Sequence, residues 1–446
     1  MNEQTKIQRD RNKFFFITFG CQMNKLDSEL AAAELLRAGF APAESESEAG
    51  VIIVNTCSVR RHAEERALSN LGRFKAAKNS FKELVVVVMG CMAQKQGEAM
   101  LDAVPPLDIV CGTRKFAELP SLLARVSERG ERIVATEDEH IDIDRLATAR
   151  PDKWRAFICV LRGCNSFCSY CIVPYVRGRE TSRPPADIVA EAKRLAEDGC
   201  VEITLLGQNI DAYEYEGVDL AELLRRVAPT PGLRRLRFIT SHPKDISPRL
   251  LDAIAEIPQV CEHLHMPAQS GSDNILAAMN RGYTAERYLE IVQDARRRVP
   301  NIEIASDFIV GFPGETDADF EATVSLMREC QFNQSFIFKY SPREGTRAER
   351  MQDDVPQSVK ENRNHVLLAV QEEISRERQN AKIGRTFEIM VEGQSKRDKS
   401  KLVGRTRGND IVVFTPAAAH TFTPGEIVNV EITDSTPLTL FGRNKT

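Results

Sequence analysis

Residues 164–171 read Cys164-Asn-Ser-Phe-Cys-Ser-Tyr-Cys171, and two residues separate them from the apolar run Phe157-Ile-Cys-Val-Leu161. The run has the length and composition of a buried strand, and the loop after it carries thiols at positions 164, 168 and 171. Cysteine sulfur is the soft ligand that an iron–sulfur cube requires, so three thiolates this close can hold three irons of a [4Fe–4S] cluster. The loop offers no fourth thiolate, which leaves one iron open to another ligand, as in a working rather than a structural site. Three plainer readings account for less. A structural zinc site wants a second CxxC pair, and the chain has none. A thioredoxin-type pair uses Cys168 and Cys171 and ignores Cys164. Chance clustering among 11 cysteines leaves the tight spacing after a strand unexplained.

Downstream, strand and helix patterns alternate through residues 155–347. Strands are expected at 157–161, 201–206, 233–240, 261–264, 302–310 and 334–340, with helical stretches such as 185–198 and 285–298 between them. Six such units predict a partial (β/α)6 barrel within 150–380, whose loops at the carboxyl ends of the strands carry the chemistry. Those ends hold Gln208-Asn209, Ser241-His242, Gln269-Ser270, Asp307 and Tyr340, a polar ring expected at one mouth. Cys159, Cys200, Cys261 and Cys330 have no partner spacing and read as core residues.

The same alternation appears upstream, in an α/β domain with a parallel sheet spanning 14–130. Strands are expected at 14–19, 51–55, 84–89 and 107–110. A helix with Leu26, Leu30, Ala33 and Leu36 on one face follows the first, stopped by Gly39, and a charged helix over about 60–78 follows the second. The strands end in Gly20-Cys21, Thr56-Cys57, Gly90-Cys91 and Cys111-Gly112. Parallel sheets bind ligands along their carboxyl edge, so thiols distant in sequence would meet there. Buried core cysteines are the bland alternative, and recurrence at successive strand ends favours a second three-cysteine site. Cys111 meets the same positional test, and topology alone does not exclude it.

Residues 127–153 read as a linker, with Glu137-Asp-Glu-His140 acidic and Arg150-Pro151 breaking structure. His140 reads as a solvated loop residue, and Trp154, the single tryptophan, as a hinge or core anchor. A charged helix over 359–382, with Val366, Val370 and Ile374 on one face, leads into the tail at 383–446. There, short strands at 387–391, 401–406, 411–414, 427–432 and 438–440 suit a small five-stranded β-barrel of the oligonucleotide-binding type. Lys396, Arg397, Lys399, Lys401, Arg405 and Arg407 cluster on it, opposed only by Asp398, and a basic run on such a barrel reads as an RNA contact. At 446 residues the chain is long enough for roughly three globular domains, and a net charge of −4 singles out no class of partner. The polar start at 1–13 is neither a signal nor a transit peptide, and the longest apolar run, 84–89, is too short to cross a bilayer. The cysteines are then expected as reduced thiols or metal ligands in the cytoplasm.

The loop at 164–171 resembles the signature of radical S-adenosylmethionine (AdoMet) enzymes. Thr18-Phe-Gly-Cys-Gln-Met-Asn24 with Asp27-Ser-Glu29, Asn55-Thr-Cys-Ser-Val-Arg60 and Gly90-Cys-Met-Ala-Gln94 resemble the amino-terminal domain of the methylthiotransferases among them. Gly207-Gln-Asn209, Pro267-Ala-Gln-Ser-Gly-Ser272 and Asp307-Phe-Ile-Val-Gly-Phe-Pro-Gly-Glu315 are similar to that family's barrel motifs, and the tail resembles its TRAM domain. The resemblance covers nearly the whole chain. It implies that Cys164, Cys168 and Cys171 hold the cluster that binds AdoMet, that Cys21, Cys57 and Cys91 hold an auxiliary [4Fe–4S] cluster, and that Cys111 is a packing residue. It sets Tyr170 beside the adenine and puts Gln208 and Asp307 in contact with AdoMet. It implies no acid–base catalytic residue, because the carbon concerned has no acidic proton and the hard step belongs to the cofactor. The Gln22-Met-Asn24 form separates the chain from branches that act on a ribosomal-protein aspartate or on threonylcarbamoyladenosine. It points to methylthiolation of C2 of N(6)-dimethylallyl (isopentenyl) adenosine next to the anticodon, with AdoMet as radical source and methyl donor. The implied partners are the tRNA anticodon stem-loop, an electron donor such as flavodoxin or ferredoxin, and a sulfur donor, with a monomeric chain and no membrane. A non-enzymatic iron–sulfur RNA-binding regulator would leave the barrel mouth without a purpose, and an electron carrier would want a fourth cysteine in each triad.

Overall fold

The computed structural model describes residues 9–58, 61–137, 150–417 and 422–444, so Val59, Arg60 and His140 lie outside the described residues. The chain divides into two compact units. One comprises Met1–Pro151, Arg162–Asn165 and Cys171–Glu180, and the other Asp152–Leu161, Ser166–Tyr170 and Thr181–Thr446.

The first unit runs β1 (Asp10–Thr18), α1 (Gln22–Arg37), β2 (Ala41–Pro42), β3 (Ala49–Thr56), α2 (Arg61–Ser80), β4 (Val85–Gly90), α3 (Cys91–Ala103), β5 (Ile109–Cys111), α4 (Leu119–Arg129) and β6 (Ile133–Ala135), with α5 (Val173–Arg177) added from later in the chain. Its sheet has the order β2-β1-β3-β4-β5-β6, and every pairing is parallel. Central parallel strands are covered on both faces, which is why β3 and β4 are apolar almost throughout and buried at every residue. Ile52, Val54, Leu71, Phe74, Val86 and Val88 form the heart of this core. Two expectations change. Ile133–Ala135, inside the stretch read as a linker, pairs with β5 as an edge strand, and three residues are too few to show a period. Helix α1 is buried around most of its circumference, Leu35 included, whereas Leu36 in its last turn is exposed.

The second unit holds β7 (Arg155–Cys159), β8 (Glu202–Leu206) and β9 (Arg235–Ile239) in one parallel sheet, and β10 (His263–His265), β11 (Glu303–Val310) and β12 (Gln334–Lys339) in another. The bridge Leu236↔Val260 and the bond from Ser241 N to His265 O (3.0 Å) link the two, so the six strands form an open barrel wall. Helices α6 (Pro185–Glu197), α7 (Leu220–Val227), α8 (Pro248–Glu256), α9 (Asp273–Ala278), α10 (Ala285–Arg298), α11 (Asp317–Cys330) and α12 (Gln357–Asn380) accompany them. Ile158, Ile203, Leu205, Leu236, Phe238, Ile304 and Phe308 pack beneath the helices. Strand side chains alternate in direction, so Asp307 and Ile309 on β11 and their register partners Phe336 and Phe338 on β12 share the opposite face. Cys159, Cys200, Cys261 and Cys330 are buried, and so is Trp154.

The tail strands β13 (Thr386–Gln394), β14 (Leu402–Arg405), β15 (Ile411–Thr415), β16 (Ile427–Thr436) and β17 (Thr439–Asn444) close in the order β13-β14-β15-β17-β16 around Ile389, Val412, Phe414 and Val430. Closure removes the unpaired edges that short strands would otherwise expose. This barrel docks on the amino ends of the large-barrel strands through buried ions. Arg235 donates to the carbonyls of Arg405 (2.9 Å) and Glu388 (3.0 Å). Arg237 donates to Glu202 Oε2 (3.0 Å) and to the carbonyls of Thr406 (2.9 Å) and Arg407 (2.8 Å). Lys382 bonds Asp410 at 2.8 Å and Glu303 at 2.7 Å. Of the six basic residues read as RNA contacts, Arg407 takes part in this docking and Arg405 is bonded within the tail. Arg407 grips both oxygens of Glu262 (2.7 and 2.8 Å), and Arg405 donates to Glu392 Oε1 (3.1 Å) and Asn409 O (3.1 Å).

Replacing Arg237 by Met strands the Glu202 carboxylate and two carbonyls in a buried seam. Loss of one partner of a buried pair costs about 3–5 kcal/mol, so this variant should unfold at lower urea and release the tail to limited proteolysis. A parent-like urea midpoint and digestion pattern would show that the seam does not hold the tail.

Candidate functional site

In the first unit Thr18, Asn55, Met89 and Cys111 stand level across neighbouring strands. Cys57 and Cys91 lie two residues beyond that level and Cys21 three, at the carboxyl edge. Cys111 lies on the level itself, inside its strand, and burial pushes its thiol up to about 12. Register therefore separates it from the other three, which topology alone does not.

Two glycines let the strand ends close up. Gly20 has φ +141°, and a Cβ there would stand 2.5 Å from Asn24 Oδ1 and 2.8 Å from Cys57 Cβ. Gly90 has φ +98°, and a Cβ there would overlap Asn55 Oδ1 and Thr56 O. The space they leave is filled by a buried amide pair. Asn24 Nδ2 donates to Asn55 Oδ1 (3.0 Å) and Thr56 O (3.1 Å), while Asn24 Oδ1 accepts from the Cys21 amide and thiol, both at 3.3 Å. Asn55 Nδ2 donates to Asn24 O (2.8 Å) and Ser28 Oγ (2.9 Å). Cys21 is exposed, and Cys57 and Cys91 are buried. A hydrogen bond from Cys57, with the Arg177 charge adding to it, brings the Cys21 thiol down to about 5, whereas burial pushes the Cys91 thiol up.

Helix α5 brings Ile172 and Val176 against Cys91 and ends in Arg177, which donates to Asp27 Oδ2 at 2.9 Å. Arg177 is buried, and it also faces the Cys91 thiol as charge and hydrogen-bond donor. Among those residues no group of three or more His, Cys, Asp or Glu side chains is arranged around a single-ion position. A cube distributes its thiolates over separate irons and asks for a wider triangle. Three thiols at one sheet edge, one of them disposed to ionise, beside a buried cation that faces them, fit an anionic iron–sulfur cluster.

In the loop at 164–171, Cys164 and Cys168 are buried and Cys171 is half-buried. Cys164 N donates to Gly178 O (3.1 Å), which anchors the start of the loop. In the second unit the turn after α9 grips residues 166–169. Ser169 donates through N to Met279 O (2.9 Å) and through Oγ to Ala278 O (2.8 Å). Asn280 Nδ2 donates to Ser166 O (3.2 Å) and Phe167 O (3.0 Å), holding Phe167 at φ +46°. Arg281 Nη1 donates to Cys168 Sγ at 3.4 Å. More than a hundred residues separate Arg281 from the loop, and no spacing in the sequence signals the contact. Tyr170 packs against the buried group of Ile275, Met279, Phe312 and Tyr340.

At the mouth, Gln208 Oε1 is buried with no hydrogen-bond partner among the described residues, as expected of a group that meets a ligand. Asp307 Oδ1 lies 3.2 Å from His265 Nε2, both partly exposed. Its backbone carbonyl accepts from Gln269 N (2.8 Å), which holds Gln269 at φ +71°. Asn209 Nδ2 donates to Asp245 (2.7 Å), and Ser241 Oγ and His242 N donate to Asp211 (3.0 and 2.8 Å). Burial pushes the Asp211 carboxyl up to about 7 and brings the His242 imidazole down to about 2, so His242 is neutral. Ser270 is buried against Thr323 (3.3 Å). Tyr340 does not belong to the ring, since its buried hydroxyl is spent on Ala348 O (2.9 Å). Asp211 and His265 join the ring, and no motif or spacing in the sequence marks either of them.

Three family profiles match along the chain: "Uncharacterized protein family UPF0004" over residues 13–112, "Radical SAM superfamily" over 158–327 and "TRAM domain" over 380–444. A tRNA-2-methylthio-N(6)-dimethylallyladenosine synthase of Moorella thermoacetica is 44% identical over 429 residues, covering 95% of this chain and 96% of the relative. The chain belongs to the tRNA-2-methylthio-N(6)-dimethylallyladenosine synthase family. A second relative of that name, from Clostridium botulinum, is 42% identical over 450 residues and 99% of both chains. The fold of this family member is also similar to a radical S-adenosylmethionine methyltransferase, TsrM, from Kitasatospora setae, with a TM-score of 0.55, 14% identity, and coverage of 76% of this chain and 74% of that one.

In the metal-free form of this family member, Cys21 should be alkylated by iodoacetamide at a rate that is half-maximal near pH 5 and falls below it. Buried Cys111 should stay unmodified until the chain unfolds. A Cys21 midpoint near the ordinary thiol value of about 8.5 would mean that Cys57 does not bond it.

Proposed function

We infer that this chain is a radical AdoMet enzyme that methylthiolates C2 of N(6)-dimethylallyladenosine in tRNA. One observation carries the reading: a chain that spans the full length of synthases of that name sets Cys21, Cys57 and Cys91 beyond the ends of three adjacent parallel strands, and carries a second triad at the head of its barrel. When bound, the two [4Fe–4S] clusters and AdoMet supply one-electron chemistry and activated sulfur, which a carbon without an acidic proton requires.

The residues then have distinct work. Cys164, Cys168 and Cys171 hold the AdoMet-binding cluster, and Cys21, Cys57 and Cys91 the auxiliary one. Gln208, through its unused buried oxygen, and Asp307 bind polar groups of AdoMet, and Tyr170 flanks its adenine. Phe336 and Phe338, exposed on the barrel face they share with Asp307, offer an apolar wall for the prenyl group. Single-stranded anticodon loops suit such a site because their bases splay out without melting a duplex. On the tail, Arg405 and Arg407 pair with Glu392 and Glu262, so contact with tRNA phosphates falls mainly to the more exposed Lys396, Arg397, Lys399 and Lys401, the last of which also faces Asp398 at 3.6 Å. We place the working boundaries at 14–130, 150–380 and 383–446. A monomeric cytoplasmic chain, fed by a flavodoxin or ferredoxin and a separate sulfur donor, completes the reading. Among the described residues no helix is long and apolar enough to cross a membrane.

Anaerobically reconstituted protein should carry about eight irons and convert prenylated anticodon stem-loops far faster than unprenylated ones, read by nucleoside mass spectrometry. Cys57→Ala should lose about half the iron yet still cleave AdoMet, and Cys168→Ala should not cleave it. Absence of the methylthio product from the loaded parent enzyme would overturn the reading.

Replacing Lys396, Arg397, Lys399 and Lys401 by Ala should weaken tRNA binding most at low salt. Each single-strand phosphate that the variant no longer neutralises flattens the slope of log affinity against log salt by about 0.7. An unchanged slope would move the RNA footprint elsewhere.

A further inference from the structure

Arg281 is a buried cation. Its relative exposure is 4%, and among the described residues no carboxylate forms an ion pair with it. Nη2 donates to Pro267 O (2.7 Å), Nε to the Tyr283 hydroxyl (3.0 Å) and Nη1 to Cys168 Sγ (3.4 Å), and Tyr283 in turn donates to Ala268 O (2.6 Å). Two neutral oxygens and the Tyr283 ring, whose centroid lies 5.3 Å from Arg281 Cζ, do not balance a buried guanidinium, whose isolation from water costs on the order of several kcal/mol. The remaining partner is the cysteine sulfur, and it answers the charge only as a thiolate. We propose that Arg281 is a positioning residue whose charge and N–H···S bond set the reduction potential of the cluster held by Cys164, Cys168 and Cys171.

The inference rests on the reading that Cys168 ligates a cluster. A thiolate-bound cube gains negative charge on reduction, and hydrogen bonds to its sulfurs favour the more negative state. Burial strengthens the effect, because a cation and an anion in low dielectric interact more strongly than in water. The contacts to Pro267 and Ala268 also tie Cys168 to the segment after β10, which fixes where the sulfur points.

The test uses the full-length chain with Cys21, Cys57 and Cys91 replaced by Ala, so that one cluster is reconstituted, followed through an EPR redox titration without substrate. Against that parent, Arg281→Gln should lower the reduced-to-oxidised ratio at a fixed potential about tenfold, equivalent to about 59 mV for one electron. Arg281→Lys, which keeps the charge and loses the fork, should fall between them. A merely structural role would change iron content and leave the potential of the loaded fraction unmoved. A ratio within about twofold of the parent in the Gln variant overturns the proposal. If the Gln variant holds no iron, the Lys variant decides: a lowered ratio supports the proposal and a parent-like ratio overturns it. If the parent assembles no cluster on its remaining cysteines, the reading beneath fails and the inference with it.

Discussion

Parallel strands run in one direction, so every carboxyl end in a sheet arrives at the same edge. In the first unit that constraint gathers thiols 34 to 36 residues apart in sequence, because β1, β3 and β4 are neighbours and their pairing is in step. In the second unit it gathers Gln208, Ser241 and Asp307 at the ends of β8, β9 and within β11. The edge alone is not a site. Gly20 and Gly90 remove the side chains that would hold the ends apart, and Asn24 and Asn55 satisfy one another in the space so made.

Buried arginines divide into two kinds, and the difference lies in what answers them. Arg235 and Arg237 find carbonyls of the tail together with the carboxylates of Glu388 and Glu202, and their donors fix one structural element against another. Arg177 has Asp27 and the Cys91 thiol, and Arg281 has neutral oxygens and a cysteine sulfur. A buried cation is tolerated only where negative charge or a full set of acceptors surrounds it. The first kind is answered by carboxylates as well as carbonyls, Glu388 for Arg235 and Glu202 for Arg237. The second kind lies beside cysteines in both cases, where an anionic cluster, as proposed, would answer the charge.

The fold was largely legible because each element announces itself locally. Near-continuous apolar runs mark β3 and β4, and a strand followed at once by CxxxCxxC marks the head of the barrel. Errors fell where local pattern carries no tertiary information. Leu36 and Leu35 are adjacent leucines in one helix, and only packing decides which is covered. Tyr340 ends a strand as a ring residue should, yet its hydroxyl is taken by Ala348. The basic run likewise does not show that Glu392 and Glu262 stand beside Arg405 and Arg407.

Sequence by itself determined the three-part architecture, the two cysteine triads and the family, because strand period, cysteine spacing and motif are properties of neighbours along the chain. Tertiary structure decided which thiols share a level, since Cys111 differs from Cys91 only by register across a strand pair. It also decided which cations are free, since a charge is spent or available according to what stands opposite it in space. The bond between Arg281 and Cys168 spans 113 residues of chain, and chain distance says nothing about who answers a buried charge.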